Sequence, residues 1–293
     1  MIFASGLAPS EGPVRLADGS FVICQMSPDR GGLCHVSADG RQNRMIVRTG
    51  RPNGCAMDRE GAFWVAETEP PGLLRATMDG KVEVVLSECP GEPFLFPNDL
   101  CFGPDGLLYF TDSGILFRDF VPGGQVRPDW RTCPIAGRIY RVDTRTRRIE
   151  KLESGGRFTN GIRFGPDGAL YTTETLTGII YRYEWRDGRL GRREVYGNVL
   201  RVPPEQSESL AGPDGMAFGA NGHLYAAVFG QGDVTVLGRT GEVVSRIPTA
   251  SPMPTNVAFG PNGSRRIYVT EMARGEMEMF DVDTDGLPLH VGG

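Results

Sequence analysis

The chain has 293 residues, 31 Lys and Arg against 36 Asp and Glu, and a formal net charge of −5 with the two signs interspersed. That balance excludes a basic surface for nucleic acid and a polybasic membrane anchor, and no apolar run is long enough to span a bilayer. The N-terminus MIFASGLAPSEG lacks a charged, apolar leader, so a soluble cytoplasmic protein is expected.

In chain order, six segments share one pattern: EGPVRLADGSFVICQ, NGCAMDREGAFWVAE, NDLCFGPDGLLYFTD, NGIRFGPDGALYTTE, DGMAFGANGHLYAAV and NVAFGPNGSRRIYVTE. Each has a polar head, a short apolar run, a tight turn, and a second run rich in aromatic and β-branched residues. Asp-Gly and Asn-Gly between apolar runs predict β-hairpins, because glycine accepts the positive φ these turns demand. The turn glycines Gly19, Gly61, Gly106, Gly168, Gly222 and Gly263 recur every forty to sixty residues or so, a propeller-like period. Further strand-like stretches, RIYRVD (138–143), GIIYRYEW (178–185) and DVTVLGR (233–239), bring the count to about four strands per repeat.

The predicted fold is therefore all-β, a six-bladed β-propeller with four antiparallel strands per blade, in one domain over residues 1–293. A parallel solenoid is disfavoured by the hairpin turns, and helical repeats by the absence of a sustained helical period. The last blade is expected to borrow MIF from the N-terminus as its outer strand. The six cysteines form no CxxC pair and are expected as reduced thiols, and the three histidines stand off the repeat register.

Glu11, Asn53, Asn98, Asn160, Asp214 and Asn256 open the six segments, eight residues before the turn glycine in five copies and seven in the last. One register in a closed array becomes a ring, and a ring of carboxylate and amide oxygens suits Ca²⁺. The expectation is thus a metal ion in the central channel. A second column, Gln25, Glu67, Asp112, Glu174 and, displaced by two, Glu271, follows the turns. At the far end of the second strand, these side chains are expected to bond backbone and close turns, with Asp112 and Glu174 as possible exceptions. The longest irregular stretch, between the third hairpin and RIYRVD, carries Phe117, Phe120 and Trp130 and fits either an apolar lid or an ordinary blade connection.

Glu-Gly-Pro near the N-terminus, Pro-Asn-Asp and Thr-Asn-Gly each followed by FGPDG, and Pro-Asp-Gly-Met before the fifth hairpin resemble the senescence-marker-protein, gluconolactonase and luciferin-regenerating-enzyme family across essentially the whole chain. The resemblance implies one divalent cation, usually Ca²⁺ with Zn²⁺ or Mn²⁺ accepted by some members, held by residues matching Glu11, Asn160 and Asp214. It implies that Asn98 contacts metal or substrate, that Asp214 activates water, and that a small-molecule lactone is hydrolysed. Asn53 and Asn256 are left as positioning or water-binding members. Where sugar-lactone hydrolases of the family tend to carry an arginine two residues before the third Asn, this chain has Phe96, which favours a less polar lactone; Phe96 and Phe117 are candidate substrate contacts. Alternatives from the same ring are a metal-dependent phosphotriesterase, a non-catalytic binding propeller, and a metal-free strictosidine-synthase-like enzyme.

Overall fold

A computed structural model describes all residues, Met1–Gly293. Six four-stranded antiparallel sheets follow one another around an axis, and each begins at its innermost strand. The innermost strands are Ser10–Arg15, Pro52–Met57, Pro97–Phe102, Thr159–Phe164, Gly212–Phe218 and Pro254–Phe259. Blades 1 to 5 are continuous in sequence. Blade 6 is completed by Ile2–Ala4, which pairs antiparallel with Met277–Asp281. The expected closure is therefore present, and Phe3 packs edge-on to Tyr268 with centroids 4.8 Å apart. Sealing the ring this way gives the last blade the same four strands as the other five and pairs the outer side of Met277–Asp281.

The repeated turn chemistry explains the hairpins: Gly106 and Gly168 sit at φ of 75° and 74°, which side-chain-bearing residues adopt at a cost. Alternation along the strands sends apolar residues to both faces of each sheet, so the core is divided among the blade interfaces. Blades 2 and 3 meet over Trp64, Leu73, Phe102, Phe110 and Tyr140, and comparable clusters fill the other five interfaces. A seventh cluster lies under the connection after the third hairpin: Phe96, Ile115, Phe120, Trp130, Cys133, Phe158 and Leu176. That connection contains one helical turn, Phe117–Phe120, and is tied to the neighbouring blade connection by Arg131, which donates to the carbonyls of Pro204 (2.8 Å) and Ser207.

The six cysteines are free thiols. No helix is long and apolar enough to cross a membrane. The C-terminal segment runs across the hairpin-turn end of the channel. Asp285 accepts from the backbone of Gly263 and Arg265 in blade 6 (2.9 and 3.1 Å), Leu287 N donates to Phe218 O in blade 5 (2.8 Å), His290 packs edge-on to Phe164 in blade 4 (5.8 Å), and Arg59 N in blade 2 donates to Gly292 O (2.9 Å). The polar ring lies at the opposite end of the innermost strands, under the aromatic cluster.

Candidate active site in the central channel

A β-bulge interrupts the pairing of every innermost strand at the ring position. In blade 4, Thr159 pairs with Glu174 and Ile162 with Thr172, so Asn160 and Gly161 oppose one residue. Such a bulge twists the strand locally and re-aims a side chain. The repeat that writes the ring also writes the bulge.

Asn98 and Asn160 are held alike. Asn98 Nδ2 donates to Ser113 Oγ (3.0 Å), and Ser113 Oγ donates to Thr159 O of the next blade (3.0 Å). Asn160 Nδ2 donates to Thr175 Oγ1 (3.1 Å), which donates to Pro213 O (2.9 Å). Each relay fixes the amide orientation and locks adjacent blades. The Oδ1 atoms of Asn98 and Asn160 are enclosed and have no hydrogen-bond partner. A buried carbonyl oxygen without a donor is costly, which makes both candidates for contact with a ligand.

Two carboxylates, Glu11 and Asp214, stand at the same ring register. Burial pushes the Glu11 carboxyl well above its usual range, reinforced by the charges of Asp214 and Asp99 and opposed by Asn256 and the Gly12 N–H. Asp214 is likewise raised, first by burial and also by Asp99, with Asn160, Arg51 and the Gly215 N–H working the other way. Buried carboxyls that resist ionising want a cation. No three His, Cys, Asp or Glu side chains converge anywhere in the chain as a metal cluster. The candidate donors are instead Glu11 and Asp214 together with the free amide oxygens, an all-oxygen set that would suit a hard divalent ion.

Asn256 departs from the expected register. Pro254 pairs with Glu271 and Asn256 with Thr270. Counted from the second column as in blade 4, the ring position falls on Thr255, and Asn256 stands one residue further along, at the station of Gly12, Gly54, Asp99, Gly161 and Gly215. The longer sixth turn, with seven residues between the paired Phe259 and Ile267 against five between Phe164 and Leu170, disguised the shift. From this position Asn256 Nδ2 donates to both Glu11 oxygens (3.2 and 2.9 Å), while its Oδ1 accepts from Val257 N (2.8 Å). It therefore positions Glu11. A Cβ on Gly215 would collide with the Asn256 amide, so Gly215→Ala is expected to displace that amide, lower the melting temperature by several degrees, and weaken divalent-cation binding roughly ten-fold, the usual effect of losing a group that orients a ligand. Thermal melts and calorimetric Ca²⁺ titration read both.

The second column bonds backbone. Asp112 accepts from Leu95, Phe96 and Gly114 N–H (2.7, 3.1 and 2.8 Å), Glu174 from Arg157 N (2.7 Å), Glu271 from Ala273 and Glu276 N (2.8 and 2.9 Å), and Glu67 from Arg51 N. Asp112 and Glu174, the possible exceptions, follow the rule; the Gln25 side chain makes no hydrogen bond. In blades 2 to 4 these acids pin the chain just before the ring, the stretch that carries Arg51, Phe96 and Phe158. Phe158 holds φ at 66°, a conformation that costs a bulky residue about 1–3 kcal/mol. Its ring lies 5.3 Å from Phe96, which meets Phe117 at 6.0 Å. Phe96 is buried and Phe117 partly so. Together they form an aromatic wall at the mouth.

A sequence profile of the SMP-30/Gluconolactonase/LRE-like region matches residues 9–273. The chain belongs to this family. It is 26% identical over 283 residues to the gluconolactonase of Zymomonas mobilis, covering 89% of this chain and 76% of that enzyme. To the 6-deoxy-6-sulfogluconolactonase of Pseudomonas putida it is 33% identical over 136 residues, 46% of this chain and 44% of the relative, so the match spans less than half of that protein. The calcium-binding protein regucalcin of Agrobacterium tumefaciens has the same fold, with a TM-score of 0.79 at 20% identity and coverage of 99% and 96%.

Within this family site, three residues escaped the sequence reading. Asp99 is fully buried, and its Oδ2 accepts from Arg163 Nη1 at 3.0 Å, which also donates to the carbonyls of Leu100 and Ile162 (3.1 and 2.6 Å). This pair lies next along the strands from the ring, where its neutrality limits the negative charge bearing on Glu11 and Asp214. The adjacency of Asp99 to Asn98 in Pro-Asn-Asp was its one available signal. The third is Arg51, two residues before Asn53; its guanidinium carbon lies 3.8 Å from the Phe117 ring centroid and 6.0 Å from that of Phe96. Burial brings it down to about 10, with Glu69, Glu67 and Asp214 favouring its charge.

Proposed function

We propose that this chain is a metal-dependent hydrolase that opens a lactone ring, in the manner of a gluconolactonase. The observation that carries the reading is the pair of enclosed, partnerless oxygens of Asn98 and Asn160 at the same ring register as two carboxylates that burial holds above their normal range. Glu11, Asn160 and Asp214 hold one divalent cation, Ca²⁺ first because every donor is oxygen, with Zn²⁺ or Mn²⁺ as alternatives. Bound there, such a cation supplies Lewis-acid polarisation of the lactone carbonyl and stabilises the developing oxyanion.

The chain supplies the rest. Asn98, its amide fixed through Ser113, presents Oδ1 to the cation or to a substrate hydroxyl. Asp214 takes a proton from the attacking water on a carboxylate oxygen, the acceptor that a positioned general base must supply. Asn256 keeps Glu11 aimed at the centre. Phe96 and Phe117 offer apolar contact to the carbon skeleton. The kinship to a gluconolactonase and a sulfogluconolactonase supports a lactone as the small-molecule substrate.

A paired panel tests the reading. Ca²⁺-loaded protein given aldonolactones, an aromatic lactone and a phosphotriester should hydrolyse lactones at rates that a chelator abolishes. Turnover of the phosphotriester alone would assign the same ring to phosphoryl transfer, and chelator-insensitive activity would overturn the metal reading.

A further inference from the structure

Arg51 occupies the same station in blade 2 that Phe96 occupies in blade 3 and Phe158 in blade 4. Its backbone is pinned on two sides, because Arg51 N is bonded by the Glu67 carboxylate and by Glu69 O (3.0 Å). The side chain then runs to the mouth and lays its guanidinium on Phe117. There it makes no hydrogen bond and no ion pair, and Nη1 is enclosed without a partner. Glu67, Glu69 and Asp214 are near enough to favour its charge, yet none lies within ion-pair distance. Arg163, by contrast, is ion-paired to Asp99 and donates to two carbonyls through Nη1.

A stacked guanidinium is a rigid, planar fork whose in-plane N–H groups remain free, a geometry that matches an oxyanion bidentately. A neutral hydroxyl would meet one donor and leave the enclosed charge uncompensated. We infer that Arg51 is a substrate-binding residue that selects lactones carrying an anionic substituent, a carboxylate or a sulfonate, remote from the ring carbonyl. The inference rests on the lactonase reading and extends it. Phe96 removes a donor from blade 3, and Arg51 supplies one from blade 2, so the polar end of the substrate lies toward blade 2 and its carbon skeleton against Phe96 and Phe158.

The test compares kcat/KM for neutral gluconolactone with that for its counterparts bearing a carboxylate or a sulfonate at the carbon farthest from the carbonyl, using Ca²⁺-loaded wild type, Arg51→Gln and Arg51→Lys. Wild type should prefer an anionic lactone by about ten-fold or more, as expected of a charge-assisted bidentate contact. Arg51→Gln should erase that preference, raising KM for the anionic lactones about ten-fold more than for the neutral one, with Arg51→Lys intermediate. An unchanged preference, or equal losses on all substrates, overturns the inference; if Arg51→Gln does not fold, the Lys variant decides by the same criterion. Should wild type hydrolyse none of the lactones, the proposed reaction fails, and calorimetric binding of the ring-opened monoacid and diacid decides Arg51 separately. Tighter diacid binding that is lost on substitution upholds its role, and equal binding overturns it.

Discussion

Replacing Asp214 with Asn should lower kcat for lactone opening by about 10³-fold, within the range that a positioned base contributes. The substitution keeps the shape and one carbonyl oxygen but removes a charge and the proton acceptor. Bound cation should fall only in part, because Glu11 and Asn160 remain. Elemental analysis of the variant alongside its kcat separates the two roles. Normal turnover would reject Asp214 as the base, whereas loss of activity in step with loss of metal would make it a ligand only.

The second large effect concerns stability. In the metal-free protein, Glu11 and Asp214 bind protons more tightly than they do in the unfolded chain. Their contribution is fully present below the ordinary carboxylate range, about pH 4, and is lost as pH rises through about 8, where Asp214 ionises in the folded state. The chelated protein should therefore melt at progressively lower temperature between pH 5 and pH 8. Saturating Ca²⁺ should reverse the trend, because a cation that binds only the folded state stabilises it by about 4 kcal/mol at a thousand-fold excess over Kd, on the order of ten degrees in melting temperature. In Glu11→Gln the pH slope of the metal-free protein should shrink and most of the Ca²⁺ gain should vanish. A Ca²⁺ shift equal to wild type in that variant would remove Glu11 from the ligand set.

Fold and ring were legible because both are written by one short-range rule, a polar residue set a fixed distance before a turn glycine. Closure through Ile2–Ala4 followed from the need of the last blade for an outer strand. The second column could be read as backbone-bonding because acids at strand ends commonly serve that purpose. Asn256 was misplaced because spacing to the turn cannot separate a displaced ring residue from a longer turn; only the pairing of Pro254 with Glu271 and Asn256 with Thr270 does so.

Arg51 and Arg163 were hidden for another reason. Their roles depend on what lies across a blade boundary: Asp99 for Arg163, Phe117 for Arg51. A substitution at Phe96 reads in sequence as a lost donor, and the compensating side chain comes from a different repeat. Blades 2 to 4 thus share one station, and its occupants, Arg51 in blade 2 and Phe96 and Phe158 in blades 3 and 4, set the proposed polar and apolar sides of the mouth.

The central claim is that an asymmetric part of a symmetric ring holds one divalent ion required for hydrolysis. The most direct measurement is elemental analysis and lactone turnover on one preparation as isolated, after chelation and dialysis, and after titration with Ca²⁺. The account predicts one ion per chain, loss of turnover with its removal, and recovery that saturates at one equivalent. Full lactone hydrolysis by protein with no bound divalent ion would contradict it.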